Sequence, residues 1–228
     1  MTDAVRLGRP RRFDQDTERL LLLDAGLRVM RRNGFVDATV GDVLAEAGIS
    51  SRAFYRHFDG KDSLMLALFR RDADAVARSL RATVTAAGTP VAALDAWLDA
   101  FLDLFYEPRR AARVAIMASR GARACAWYEA ELARVRELNV APLVDVLRAG
   151  HERRDLCSPE PERDAHTVLA IASRVCDPSS ERRFSDRAEA RAHVVRFCWP
   201  ALGLAAATST QESIRPPRGA ARRRDQKQ

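Results

Sequence analysis

Residues 48–61, GISSRAFYRHFDGK, bring together Ser50, Ser51, Arg52, Tyr55, Arg56, His57 and Lys61. Each can donate hydrogen bonds. A guanidinium engages O6 and N7 of a guanine through two parallel N–H groups. Hydroxyl, phenol and imidazole groups donate to phosphate oxygens, which sets register without reading sequence. At about 100° per helical residue, Phe54 and Phe58 point one way, while Ser51, Arg52, Tyr55 and Arg56 spread over the opposite side. One face is built to pack; the other is offered to a polyanion.

The neighbouring sequence supplies elements to hold that face. A first helix spans about 14–33, with Leu20, Leu23, Leu27 and Met30 forming one apolar stripe. Gly34 ends it in a positive-φ conformation and lets Phe35 fold back. Thr39 and Asp42 form a reciprocal cap for a second, short helix, and Gly48 permits a sharp turn. Ser50 caps a third helix that ends near Phe58, and Asp59 is placed to cap a fourth that continues to about Thr85. Two short helices joined by a glycine turn are the sequence form of a helix-turn-helix, whose second helix enters the major groove. Ser51 and Arg52 then reach base edges, Tyr55 and His57 the groove walls, and Thr39 and Lys61 phosphates at helix N-termini. Two bland roles compete: Tyr55 packed beside Phe58, and His57 as a surface cap.

Gly48-Ile49-Ser50, Phe54-Tyr55, His57-Phe58 and Gly60-Lys61 followed by Leu64 resemble the N-terminal DNA-binding domain of the TetR family of bacterial transcriptional regulators, over roughly residues 17–68. The resemblance implies a homodimer on a partly palindromic operator of double-stranded DNA, with a helical C-terminal domain housing a small-molecule effector and the dimer interface. DNA contacts carried across by position fall on Thr39, Ser50, Ser51, Arg52, Tyr55, Arg56, His57 and Lys61. Ala53 departs from the pattern, standing where a hydroxyl residue is frequent.

Beyond residue 90 the sequence keeps helical periodicity, at about 91–106, 109–119, 122–154, 161–176 and 187–207, so the fold class is all-α. Trp97, Phe101, Phe105, Met117, Trp127 and Tyr128 are an aromatic-rich set suited to an apolar pocket, with a packed core as the alternative, and they point to a hydrophobic or aromatic effector. Asp95, Asp99 and Asp103 recur every four residues as a solvated face. Pro200 should bend the last helix, and the small residues after it should admit another helix; with 161–176 this assigns Phe197, Leu202 and Ala205 to a four-helix dimer interface.

No nucleophile elbow, dinucleotide or P-loop glycine pattern, or HExxH motif is present, and no catalytic residue or cofactor is expected. A metal held by His151, His166 and His193 with a cysteine is the residual alternative. Cys125, Cys157, Cys176 and Cys198 form no CxxC pair and read as reduced thiols.

The formal charge of +7 sits in the tails: four arginines against Asp3 in residues 1–12, and five arginines with Lys227 against Asp225 in 213–228. Such arms suit nucleic acid, or are simply solvated. With 47% hydrophobic residues, no apolar run of membrane length and no signal-like N-terminus, a soluble chain is expected in the bacterial cytoplasm, associated with the nucleoid. The expected division is a basic arm (1–13), the helix-turn-helix domain (14–60), a connecting helix (61–85), an effector-binding and dimerisation domain (86–211) and a basic tail (212–228). The implied function is a ligand-responsive repressor; the alternatives are a regulator or activator without an effector, and a cryptic enzyme.

Overall fold

Asp14 accepts a hydrogen bond from the Thr17 N–H at 2.8 Å and opens the first helix of the computed structural model, which describes residues 14–177 and 184–205. Helix α1 (Gln15–Asp37) is interrupted at Gly34, whose φ of 81° suits glycine alone, and Phe35 turns back into the core. Thr39 and Asp42 form the reciprocal cap of α2 (Val40–Ala47), and Gly48 closes it at φ 64°. Ser50 caps α3 (Ser51–His57) by accepting from the Ala53 N–H.

The fourth helix, α4 (Lys61–Ala86), starts differently from the sequence expectation. Gly60, not Asp59, is its N-cap, and the Ser63 hydroxyl accepts from the Gly60 N–H at 3.2 Å. Then come α5 (Pro90–Tyr106) and α6 (Pro108–Met117), each with proline in its first turn, where a missing N–H costs nothing.

The single helix expected over 122–154 is two, α7 (Arg120–Arg123) and α8 (Tyr128–Arg153). Short-range bonds from Cys125 N–H to Ala122 C=O and from Tyr128 N–H to Cys125 C=O turn the chain between them. That turn seats Trp127 and Tyr128 against Phe69, so tertiary packing overrides local helical preference here. After α9 (Pro161–Cys176), α10 (Arg187–Ala201) stops six residues short of the expected 207. Gly203 at φ 77° and a bond from Leu204 N–H to Trp199 C=O fold the chain back there, so residues 202–205 add no helical turn, and 206–207 lie outside the described residues.

Two apolar clusters organise the helices. One joins α1, α2 and α3 to the start of α4 and takes in Met117, Ala122 and Tyr128; the other joins α5, α8, α9 and α10 to the end of α4. Helix α4 belongs to both, through Leu64, Met65, Leu68 and Phe69 at one end and Leu80 at the other. Two polar seams add to this. Arg70 and Arg134 grip the buried Glu131, and Arg134 also reaches Asp74, tying α4 to α8. Asp95, Asp99 and Asp103, expected as a solvated face, instead receive Arg187 and Arg191 of α10. Among the described residues no helix is long and apolar enough to cross a membrane. The basic segments 1–13 and 212–228 lie outside the described residues.

Candidate nucleic-acid interface and ligand cavity

Helix α3 is fixed from behind. Phe54 is fully buried, Phe58 is 4% exposed, and their rings lie 5.7 Å apart in the N-terminal core. Burying each contributes roughly 2–3 kcal/mol. Ala53 is buried beside them and adds nothing to the outer face. That face carries Ser51, Arg52 and Tyr55, all exposed. Arg52 makes no hydrogen bond or ion pair with another described residue, so its guanidinium is free to bond elsewhere. Tyr55 is 60% exposed and only edges onto Phe54, which separates it from the half-buried alternative.

The other expected contacts are partly or wholly committed inside the domain. Arg56 Nη2 lies 2.7 Å and His57 Nε2 3.1 Å from the same oxygen, Oε2 of Glu18 on α1. Paired first with Arg56 and then with His57, the Glu18 carboxyl is held below the ordinary glutamate range. The His57 side chain is only 9% exposed, so it lies under α3 and not at the groove wall where the sequence put it. Arg56 keeps about half its surface in solvent. Thr39 Oγ1 donates to Asp42 at 2.7 Å and accepts from its N–H at 3.1 Å, and Ser50 Oγ is engaged as a cap. Lys61 donates to the Val36 carbonyl at 2.7 Å and sits 5.4 Å over the Phe35 ring, leaving two of its three ammonium donors for a phosphate.

Glu18 and the Val36 carbonyl, which orient these groups, carry no local sequence signal: they sit 38 and 25 residues from the partners they hold. A second pair of arginines, Arg28 and Arg32, grips Glu46 and sets α2 on α1. The resulting surface is a rigid helix with free guanidinium, hydroxyl and phenol groups, flanked by partly free cations.

A cavity of about 1100 Å³ opens among α4, α5, α6, α8 and α9. Phe101, Phe105, Met117 and Tyr128 line it, as does Phe69. Trp97 does not: it is fully buried behind Phe101, stacked at 5.2 Å, with its Nε1–H donated to the Asn139 carbonyl at 3.0 Å. Trp127 packs on Phe69, outside the lining. Sequence reasoning missed Asp72 and Asn139, which also line the cavity, because each stands in a mixed charged and apolar stretch with no local signal that it faces inward. Burial pushes the Asp72 carboxyl above its ordinary range, against the pull of Arg113 and Arg71. The rim is charged, with Arg110, Arg136, Arg174, Glu137 and His166 exposed.

The three histidines weighed as a metal site have separate partners. His151 accepts from the Ser158 N–H, His166 meets Glu137, and His193 lies between Phe184 and Phe197. Among the described residues no group of three potential ligands converges. Ser158 is fully buried and donates to Asp164, a loop brace and not a nucleophile beside a base. Of the residues assigned to a dimer interface, Phe197 is 54% exposed on α10, Leu202 is 3% exposed within the chain's own core, and Ala205 is exposed beyond the helix.

Residues 22–68 match the model of the bacterial regulatory proteins of the tetR family. A stretch of 69 residues is 38% identical to the HTH-type transcriptional regulator BetI of Brucella canis, covering 30% of this chain and 35% of that protein. The chain thus matches about a third of the length of such curated relatives. Whole-chain likeness is structural. A TetR transcription regulator of Haloarcula marismortui superposes with a TM-score of 0.69 at 19% identity, covering 82% of this chain and 98% of that one. The transcriptional regulator FadR of Bacillus subtilis, in complex with stearoyl-CoA, superposes with a TM-score of 0.59 at 13% identity, covering 77% and 95%. At these identities the likeness is one of fold.

Proposed function

From the chain's membership of the tetR family of bacterial regulatory proteins, carried by residues 22–68, we propose that it is a DNA-binding transcriptional regulator acting as a ligand-released repressor. The observation that carries this reading is the outer face of α3: Arg52 and Tyr55 exposed, Ser51 beside them, and Phe54 and Phe58 anchoring the opposite side. Ser51 and Arg52 read base edges, Tyr55 and Arg56 meet the backbone, and Lys61 holds a phosphate with the N–H groups that open α4. Thr39 and Ser50 serve first as caps, and His57 positions α3 through Glu18.

The operator is partly palindromic and the protein a homodimer, so the two recognition helices must match half-sites about 34–36 Å apart. The divisions 14–60, 61–85 and 86–211 then correspond to reading, connecting and sensing. An apolar or aromatic effector in the cavity prefers a spacing of the recognition helices that does not fit DNA, and operator DNA reciprocally weakens effector binding. The cavity's aromatic wall supports a ligand over a ligand-free regulator, as does a structurally similar regulator seen with stearoyl-CoA.

Selection of bound fragments from the source genome, followed by titration of variants, tests this. Arg52→Ala should cost about 1–3 kcal/mol and relax base preference at one position, whereas Lys61→Ala should weaken all sequences alike and lower the salt slope by about one. Selection that enriches no sequence, or the same loss of specificity in both variants, refutes the assignment.

A further inference from the structure

Most charges around the cavity are already balanced. Arg113 Nε lies 2.9 Å from Asp72, Arg174 pairs with Asp177 and His166 with Glu137, and Arg110 stands near the Glu107 carboxylate that caps α6. Ser79, Asn139 and Ser173 also line the cavity and carry no charge. Arg123, Arg136 and Glu129 remain. None of the three has an ion-pair partner among the described residues, and all are exposed, so a ligand can reach them from the mouth.

These groups converge on one place. Burial raises the Tyr128 phenol above its ordinary range and keeps it a donor, while the charges of Arg123, Glu129 and Arg136 all act on it. Arg123 Nε donates to the Ala118 carbonyl at 2.9 Å, which fixes the guanidinium and leaves its Nη groups unspent. Two guanidinium groups against one carboxylate leave this end of the cavity with an excess positive charge. The apolar lining leads away from it. Tyr128 packs on Phe69 at 5.9 Å within the N-terminal core cluster, whereas Val76, Phe101, Leu104 and Leu169 belong to the other cluster. Along α4 the lining runs from Phe69 to Ser79, roughly 15 Å at the helical rise.

We infer that the effector is an amphiphile whose carboxylate head sits at the mouth between Arg123 and Arg136, with Tyr128 donating to it, and whose apolar tail lies along Val76, Phe101 and Leu104. This rests on the effector reading above and names the ligand class. A carboxylate accepts from a guanidinium through two parallel N–H groups and neutralises the excess charge. A hydroxyl head gains hydrogen bonds but leaves that charge in place, and an ammonium head meets two cations against a single carboxylate. At the exposed mouth the head keeps part of its hydration and escapes the cost of a buried charge, while the tail leaves water for the apolar wall.

Three probes of equal chain length separate the possibilities on the full chain: decanoate, decan-1-ol and decylammonium, titrated by calorimetry at neutral pH. The expected order is decanoate, then the alcohol, then the ammonium, with roughly tenfold between decanoate and decan-1-ol. Arg136→Gln and Arg123→Gln should each weaken decanoate by roughly fivefold to tenfold while leaving decan-1-ol within about twofold. Decan-1-ol or decylammonium binding as tightly as decanoate, or decanoate binding indifferent to both variants, overturns the inference while leaving an apolar effector in place. Silence of all three probes on a folded protein that still binds DNA overturns the effector reading and the inference together. Should Arg123→Gln not fold, Arg136→Gln and the wild-type ranking decide.

Discussion

Replacing Gly121 with alanine tests the seam between α7 and the end of α1. A Cβ at Gly121 falls 2.7 Å from Phe35 Cδ1 and 2.8 Å from Val36 Cγ2. Comfortable carbon contacts lie at about 3.5–4.0 Å, so both approaches are too close by at least about 0.7 Å. The two neighbours differ in what they can yield. Val36 is 68% exposed and can swing into solvent, whereas Phe35 is 7% exposed and roofed by the Lys61 ammonium. The Phe35 overlap must therefore be absorbed by moving α7 off α1. Such overpacking costs about 1–3 kcal/mol. Alanine's helical advantage over glycine, up to about 1 kcal/mol, offsets part of this but is small in a helix of one turn. The expected net is a loss of about 1–2 kcal/mol, or roughly 2–8 °C in Tm for a chain of this size. Differential scanning calorimetry with urea unfolding measures both. Gly88→Ala is the control: a methyl group at that position meets no atom within 4 Å, and the variant should stay within about 0.5 kcal/mol of the wild type. If Gly121→Ala melts at or above the wild type, Phe35 is not confined and the close packing at this seam has been misjudged.

Glu131→Gln removes the charge that Arg70 and Arg134 share and should cost about 2 kcal/mol, read from urea midpoints at neutral pH. The Arg70 guanidinium, then Arg134, holds the Glu131 carboxyl below the ordinary value of 4.5. Its contribution is therefore complete above that pH and fades as pH falls through the lowered value, so the wild-type advantage over the variant should shrink on acidification. A gap that persists unchanged at pH 3 would contradict this. Glu18→Gln loosens Arg56 and His57 together and should weaken operator binding while leaving the cavity's ligand affinity intact; equal damage to both would mean general unfolding. Burial pushes the Cys198 thiol up to about 11, whereas Cys157 is exposed. At pH 8 a thiol reagent should label Cys157 and spare Cys198 until the protein unfolds, and mass spectrometry of digested protein distinguishes them.

Local chemistry made the N-terminal helices legible from the sequence. Thr39 with Asp42, Gly48 and Ser50 are caps and turns whose partners lie within three or four residues, and the Phe54–Phe58 spacing gives α3 its buried side. The same reasoning misplaced the start of α4, merged α7 with α8 and ran α10 too long. In each case the deciding partner was remote or subtle: Ser63 taking over the cap, Phe69 drawing in Trp127 and Tyr128, and Gly203 folding the chain back on Trp199.

Periodicity and capping act over a few residues, so the order of amino acids alone settles the helical class, the two short helices with the glycine turn between them, and which side of α3 can be wet. Which of those polar groups stay available is settled only in the folded chain. Arg52 has no partner among the described residues, whereas His57 is drawn under α3 by a carboxylate 39 residues away, and Trp97 is spent on an α8 carbonyl. Folding likewise brings Asp72 of α4 and Asn139 of α8 to the lining of a single cavity. Hydrogen bonds and charge pairs are satisfied by whatever the packed helices bring within about 3 Å, and that proximity is a property of the assembled core and not of spacing along the chain.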